Sequence, residues 1–206
     1  MTTPRIRAVL ASTNRGKFDE IRALLAGAHI ELVPQSDFGV ESPEEAGSTF
    51  RDNALIKARH ASSIAGMPAI ADDSGLAVDA LEGRPGVRSA RYAGPHASDD
   101  DNVDKLLAEL ERVADERRGA CFRCVAVFLA GSEDPAPLIG RGEWRGRILR
   151  ERRGTGGFGY DPVFLDTGSG RSAAELTAEE KNRVSHRGQA FRELARLLAL
   201  RRAQRR

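Results

Sequence analysis

Two aspartates stand side by side where an apolar run ends, in the stretch AIADDSGLAVDAL of residues 69–81. Unpaired buried charges are costly and like charges repel each other, so Asp72 and Asp73 make a poor piece of protein core. Carboxylate oxygens are, however, the ligands that divalent cations such as Mg²⁺ prefer. The pair therefore indicates a metal site, in which a second carboxylate orients or deprotonates a water molecule.

The stretch STNRGK (12–17) places Ser12, Asn14 and Gly16 at the end of a predicted strand, directly before a helix predicted to begin at Lys17. Backbone N–H groups, a helix N-terminus and an ammonium meet here, which is how many proteins hold phosphates. The spacing of a Walker A loop is absent. The alternative is an ordinary strand-to-helix turn with an exposed lysine.

A second helix is predicted from about residue 48 or 49 to Ala65, where Gly66 and Pro68 stop it. A helical wheel puts six of its residues on one narrow stripe: Phe50, Asn53, Ala54, Lys57, Ala61 and Ile64. A lysine inside an apolar stripe is costly unless it meets an anion or extends to the surface, and both alternatives are open. Glu44 and Glu45, just upstream, either bind a metal or complement the helix dipole.

Two further segments add base-binding chemistry. GTGGFGYDPVF (154–164) has four glycines in six residues, which let the backbone approach a ligand closely. In the same segment, Phe158 or Tyr160 could stack on a flat base. KNRVSHRGQAF (181–191) groups Lys181, His186 and Arg187 near the start of the last helix. His186 is either an ordinary surface histidine or, with Arg187, a donor to base or phosphate oxygens. Together the five segments supply what a nucleotide site needs.

Strands and helices are predicted to mix along the chain. We predict strands at 5–13, 67–73 and 121–130, and helices at 17–27, 100–118 and 185–202, besides the helix ending at Ala65. No internal repeat, linker or clear domain boundary is visible. This pattern predicts an α/β protein built on one sheet.

Composition bounds the class of protein. The 206 residues are 40% hydrophobic and 30% charged, and no stretch approaches the roughly 18 apolar residues of a membrane span. The N-terminus lacks the apolar segment of a secretory signal, so a cytoplasmic location is expected. A net charge of only +2 does not create the strong positive field that would attract nucleic acid to the whole protein. The six arginines of 141–154 and the tail RRAQRR are either solvated or contact a phosphate-rich partner.

The only two cysteines, Cys121 and Cys124, form a CxxC pair inside a predicted buried strand. A lone CxxC is either a redox or metal half-site or a coincidence of packing. Residues three apart on a strand point to opposite faces, so we predict two reduced, structural thiols.

Six motifs in order resemble the inosine/xanthosine triphosphate pyrophosphatase family, also called Ham1-like: STNRGK, EEAGSTFRDNALIKA, ADDSGLAVDAL, GVRSARYAG, TGGFGYDPVF and KNRVSHRGQAF. The resemblance runs from about residue 8 to residue 200. It implies an Mg²⁺-dependent hydrolase that cleaves dITP, ITP and XTP to the monophosphate and pyrophosphate and so cleanses the nucleotide pool. It also implies one domain (1–206) with a long curved mixed sheet flanked by helices, two lobes with a central cleft, a homodimer, and a basic tail at about 201–206.

The resemblance also implies roles for individual residues. The triphosphate would be bound by Ser12, Thr13, Asn14, Arg15, Gly16 and Lys17 together with Lys57, with Asn53 among the substrate-binding residues. Glu45 and Asp73 would hold the metal with help from Asp72, and Asp73 would accept the proton. The nucleoside pocket would be shaped by Ser74, Phe158, Gly159, Tyr160, Asp161, Lys181, His186 and Arg187.

Three alternatives have different consequences. A related Maf-like pyrophosphatase would act on modified pyrimidine or methylated guanine nucleotides, which substrate profiling separates. A nucleic-acid-binding module would show steep salt dependence. A silent nucleotide sensor would bind without turnover.

Overall fold

The computed structural model describes residues 5–204, which form seven strands and five α-helices joined partly by short 3₁₀ helices. The strands are β1 (Ile6–Leu10), β2 (Ile30–Pro34), β3 (Ala69–Val78), β4 (Gly119–Leu129), β5 (Leu138–Ile148), β6 (Phe164–Asp166) and β7 (Arg171–Ser172). The α-helices are α1 (Arg15–Leu24), α2 (Phe50–Ala65), α3 (Asp99–Glu109), α4 (Ala178–Val184) and α5 (His186–Ala203). No helix in this range is long and apolar enough to cross a membrane.

All seven strands belong to one mixed sheet with the order β2-β1-β3-β4-β5-β6-β7. Strand β1 runs parallel to both β2 and β3, whereas β6 is antiparallel to β5 and β7. The predicted α/β class is therefore confirmed. The chain leaves β1 for β2 on one side and later returns to β3 on the other, so β1 lies between β2 and β3.

The chain divides into two compact units. Within the described residues, the first unit comprises 5–73, 124–142 and 187–204, and the second comprises 74–123 and 143–186. In the first unit, one core cluster contains apolar residues of α1 and α5, and another contains the alanines of α2. The second unit has its own core, which includes Leu76, Phe122, Trp144 and Phe164.

Helix α2 has the bounds that the sequence predicts. The side chain of Thr49 accepts a hydrogen bond from the Asp52 N–H at 3.2 Å, and Gly66 ends the helix at φ +62°. The predicted stripe is wrong at one end, because Ile64 is 49% exposed. The buried face of α2 consists instead of small residues, which allow the helix to approach the sheet closely: Asn53, Ala54, Ala58, Ala61 and Ser62.

Other predicted boundaries shift for local reasons. Helix α1 begins at Arg15 rather than Lys17, because the Asn14 side chain caps it by accepting from the Lys17 N–H at 2.9 Å. Strand β3 continues past Asp73 to Val78, since Leu76 and Val78 enter the core of the second unit. Helix α3 ends at Glu109 rather than near residue 118. There the buried Arg118 donates to the Leu110 carbonyl at 2.6 Å and replaces the next helical turn.

The arginine-rich stretch is mostly strand β5, in which glycines and Trp144 point inward and arginines outward. At the end of α5, Arg202 donates to the carbonyls of Ala28 and His29, both at 2.9 Å. Residues 201–203 of the predicted basic tail are thus the end of α5, and Arg202 ties them to other residues of the first unit. Residues 205 and 206 lie outside the described range.

We expect Gly140→Ala to destabilise the first unit. A Cβ at Gly140 would lie 2.1 Å from the Ala190 carbonyl oxygen and 2.8 Å from the Leu194 nitrogen, both backbone atoms of α5, so the helix would have to shift. Overpacking of this kind costs about 1–3 kcal/mol. Urea unfolding measures the loss, with Gly27→Ala as the control because nothing lies within 4 Å of a Cβ there. Equal stability of the two variants would contradict the close contact.

Candidate active site

The loop between β1 and α1 and the first turn of α1 carry the predicted phosphate-binding residues 12–17. Thr13, Asn14, Arg15 and Gly16 are exposed, and Lys17 is half-buried. The first amides of a helix have no preceding turn to accept their hydrogen bonds, so this end of α1 favours an anion. A cavity of about 440 Å³ lies beside it, lined by Ser12 to Arg15, one side of α1, and residues 34–36.

The Lys57 side chain of α2 joins two predicted metal ligands. Its Nζ lies 2.9 Å from Glu45 Oε1 and 2.9 Å from Asp73 Oδ1. The side chains of Lys57 and Asp73 are only 11% and 8% exposed, and that of Glu45 is 25% exposed. Of the two explanations for a lysine in this stripe, the structure supports contact with anions, and the anions are carboxylates of the protein itself.

Charge and burial compete in this cluster. Burial disfavours the charged lysine, but the carboxylates of Asp73, Asp72 and Glu45 outweigh it and raise the pKa of Lys57. For Asp73, burial and the neighbouring Glu45 carboxylate raise the pKa, although Lys57 and Asn53 oppose them. A carboxylate with a raised pKa is a better proton acceptor than an ordinary aspartate, provided that it is ionised.

Asp72 points to a different set of partners from Asp73, as neighbours on a strand do. Its Oδ2 accepts from Arg187 Nε at 3.2 Å and lies 3.7 Å from Cys124 Sγ. Arg187, whose side chain is 2% exposed, also donates through a terminal nitrogen to Glu20 Oε2 at 2.9 Å. Asp72 and Glu20 thus flank one buried guanidinium, and contact of Asp72 with a metal stays a prediction.

The same partners set the protonation states. Burial by itself would raise the pKa of Asp72, but Arg187, Lys17 and Lys57 hold it well below its usual range. Burial, together with the Asp72 charge, raises the pKa of the Cys124 thiol. Both cysteines are buried and free, so the prediction of reduced, unpaired thiols is confirmed.

In the second unit, three predicted nucleoside-binding residues form one cluster. Lys181 Nζ lies 2.5 Å from Asp161 Oδ2 and 4.9 Å from the centre of the Phe158 ring. Asp161 Oδ2 also accepts from the Phe158 N–H at 2.9 Å. A Cβ at Gly157 would lie 2.1 Å from that oxygen, and Gly157 has φ +74°, so only glycine fits there. The glycine-rich loop therefore fixes a half-buried Phe158 ring.

The other residues of this predicted pocket differ in accessibility. Tyr160 is 5% exposed in the core, and its hydroxyl donates to the Ser89 carbonyl at 2.9 Å, so the alternative that Tyr160 stacks on a base is wrong. The Gly159 N–H donates to Asp99 Oδ2 at 2.7 Å. Ser74 is half-buried on β3. His186 is 4% exposed and stacks on Phe122 at 4.6 Å, so it is not an ordinary surface histidine.

A family model described as the Ham1 family matches residues 8–197. The chain belongs to the Ham1 family. The match includes every residue discussed above as a candidate for the site. Membership in this family confirms the resemblance seen in the six sequence motifs.

Individual Ham1 relatives are similar over almost their full length. The dITP/XTP pyrophosphatase of Methylococcus capsulatus is 60% identical over 197 residues, which cover 95% of this chain and 98% of that protein. The dITP/XTP pyrophosphatase of Escherichia coli strain K12 is 53% identical, covering 90% and 94%. A solved structure of a HAM1 protein from Coxiella burnetii is 49% identical, with a TM-score of 0.87 and coverage of 94% and 98%.

Two carboxylates of the Ham1 chain fit a divalent cation. Glu45 and Asp73 converge on one point that already carries a positive charge, the Lys57 ammonium. Within residues 5–204, no three His, Cys, Asp or Glu side chains group in a way that could hold a metal ion. Such a pair suits Mg²⁺, which usually binds one or two carboxylates and takes its other ligands from water and substrate phosphates.

Three parts of the site were missed by sequence reasoning. Glu20 as the second partner of Arg187 and the contact of Cys124 with Asp72 join segments far apart in the chain. The third part, the hydrogen bond from Gly47 to Asn53, spans only six residues, across the N-cap of α2. A signal existed only for Glu20, which lies one helical turn after Lys17 and next to the buried Ile21.

Proposed function

We propose that this Ham1 protein hydrolyses deaminated purine nucleoside triphosphates, namely dITP, ITP and XTP, to the monophosphate and pyrophosphate. The observation that carries the proposal is the partly buried Glu45–Lys57–Asp73 cluster, in which one ammonium lies 2.9 Å from each of two carboxylates. Relatives named dITP/XTP pyrophosphatase at 53–60% identity support the choice of substrate.

In the proposed reaction, a water oxygen forms a bond to the α-phosphorus and its proton moves to the Asp73 carboxylate. The bond to the bridging oxygen breaks, and its electron pair leaves with the pyrophosphate. Lys17 and Lys57 stabilise negative charge on the phosphoryl oxygens. Glu45 and Asp73 would hold Mg²⁺, which when bound supplies positive charge to the triphosphate. The proton leaves Asp73 for solvent after each turnover.

The second unit would recognise the nucleoside. Phe158 offers a half-buried ring that could stack on a base, while Lys181 and Asp161 fix its loop. Inosine and xanthosine present O6 and a protonated N1, whereas adenosine presents an N6 amino group, so a pocket of donors would disfavour adenine. Arg187 is held by Asp72 and Glu20, and its contact with the base stays a prediction. The homodimer and the cytoplasmic location also stay predictions.

The test is release of pyrophosphate and orthophosphate by the purified protein with dITP, XTP, dATP and dGTP, in Mg²⁺ and in EDTA. We expect pyrophosphate from dITP and XTP, at least 100-fold less from dATP and dGTP, and none in EDTA. Release of orthophosphate, or equal rates with all four nucleotides, would sink the proposal. Turnover that persists in EDTA would sink its metal component alone.

A further inference from the structure

The side chain of Asn53, in the first turn of α2, connects two segments that carry the proposed metal ligands. It is completely buried. Its Oδ1 accepts from the Gly47 N–H at 2.8 Å, and its Nδ2 donates to Asp73 Oδ2 at 3.2 Å. Only one orientation of the amide satisfies both partners, because a backbone N–H must donate and a carboxylate must accept. One amide therefore ties the loop that holds Glu45 to the strand that holds Asp73.

The loop side of this connection depends on a glycine. A Cβ at Gly47 would lie 2.5 Å from Asn53 Oδ1 and 2.8 Å from the Asp52 Cβ. Any larger residue would push the loop away from α2 and break the hydrogen bond. The close approach places Glu45, two residues earlier, within 2.9 Å of Lys57.

The strand side orients Asp73. With Oδ2 held by Asn53, Oδ1 faces Lys57 at 2.9 Å, on the point where Glu45 Oε1 also arrives. Asn53 thus acts on both carboxylates from a position that solvent does not reach. A direct contact with substrate, as the resemblance implies, would require this fully buried side chain to become accessible.

We propose that Asn53 is a positioning residue that sets the separation of the Glu45 and Asp73 carboxylates and thereby the affinity of the site for a divalent cation. The inference rests on the proposed function for the identity of the site. The spacing of these two carboxylates decides how well both reach one ion. Residues that orient metal ligands in this way typically contribute 10- to 100-fold to metal affinity.

The experiment measures binding of Mn²⁺ alone to the full-length, nucleotide-free protein by electron paramagnetic resonance. Wild type is compared with Asn53→Ala, which removes both hydrogen bonds of the amide. It is also compared with Gly47→Ala, which disrupts only the hydrogen bond from the loop and leaves the amino-acid sequence of α2 unchanged. The matched control is Ser62→Ala. Ser62 is also buried on α2 and donates to the Met67 carbonyl at 2.7 Å, at the far end of the helix.

We expect the Kd for Mn²⁺ to rise by at least about 10-fold in Asn53→Ala and Gly47→Ala and to stay unchanged in Ser62→Ala, although Ser62→Ala also lowers stability. At saturating Mg²⁺, the KM of Asn53→Ala for dITP should remain near that of wild type. A raised KM with unchanged Mn²⁺ affinity would overturn the proposal and assign Asn53 to substrate binding.

Other outcomes are equally decisive. An equal loss of Mn²⁺ affinity in Ser62→Ala would show that the effect reflects general stability. Absence of Mn²⁺ binding by wild type would show that no metal site is formed before substrate arrives. Either result overturns the proposal. If Asn53→Ala does not fold, the Gly47→Ala variant provides the test. A Kd for Mn²⁺ equal to that of wild type in Gly47→Ala would then overturn the inference. Absence of pyrophosphate release by wild type that binds Mn²⁺ would instead remove the proposed function.

Discussion

Replacing Asp73 with asparagine is expected to lower kcat for dITP by about 10²- to 10⁴-fold, the usual contribution of a positioned proton acceptor. The amide keeps the shape of the side chain but cannot take a proton from water. Folding should survive, because burial and Glu45 already raise the pKa of Asp73 and so disfavour its charge. Initial rates of pyrophosphate release at saturating dITP measure the effect.

The control for this variant is Asp104→Asn. Asp104 is an exposed residue of α3 that forms a surface ion pair with Arg152 at 2.9 Å, so its neutralisation should change kcat by less than about 2-fold. Thermal unfolding of both variants separates loss of activity from loss of structure. Near-normal turnover by a folded Asp73→Asn protein would refute the assignment of Asp73 as the proton acceptor.

Replacing Asp72 with asparagine is expected to lower the free energy of unfolding by about 3 kcal/mol at pH 7. The variant leaves the Arg187 guanidinium, whose side chain is 2% exposed, with Glu20 as its remaining acidic partner. Removing one partner of a buried ion pair typically costs about 3–5 kcal/mol, and Glu20 should reduce that loss. Urea unfolding measures it, with Asp19→Asn of the exposed Arg22–Asp19 pair as the control.

The effect of Asp72 should depend on pH with a definite sign. Neighbouring cations hold the pKa of folded Asp72 below the value of about 3.9 expected in the unfolded chain. The unfolded state therefore binds the proton more readily. The stabilisation by Asp72 is complete above about pH 5 and is lost as the pH falls toward the folded-state pKa.

The difference in stability between wild type and Asp72→Asn should accordingly shrink between about pH 5 and pH 2, because the unfolded wild-type chain takes up a proton at Asp72 that the folded state binds less readily. Unfolding curves at several pH values test this directly. A difference that stays constant with pH, or one smaller than about 1 kcal/mol at pH 7, would mean that the Asp72–Arg187 pair is not what stabilises this part of the first unit.

Local chemistry was readable from the sequence at both ends of α2. Thr49 and Gly66 mark the ends of α2, since an N-cap side chain and a left-handed glycine act within one turn. The helical period placed Lys57 beside an apolar face, which left an anionic partner or extension to the surface as the alternatives. The order of the six motifs sufficed to indicate the Ham1 family.

The choice of partners came from the tertiary structure. Arg187 meets Glu20 across 167 positions and Asp72 across 115, because β1 lies between β2 and β3 in the sheet, an order that no local period encodes. The partners of Lys57, the carboxylates of Glu45 and Asp73, likewise became known only from the tertiary structure.

The sequence by itself therefore determined the α/β class, the family, and the residue types that could handle a metal and a triphosphate. Only the tertiary structure decided that Asp73 and Glu45 share one ammonium, that Asp72 belongs to Arg187, and that Tyr160 is core while Phe158 is half-buried. The physical reason is range. Caps and helical periods act over a few residues, whereas ion pairs and burial depend on which distant segments the sheet brings together.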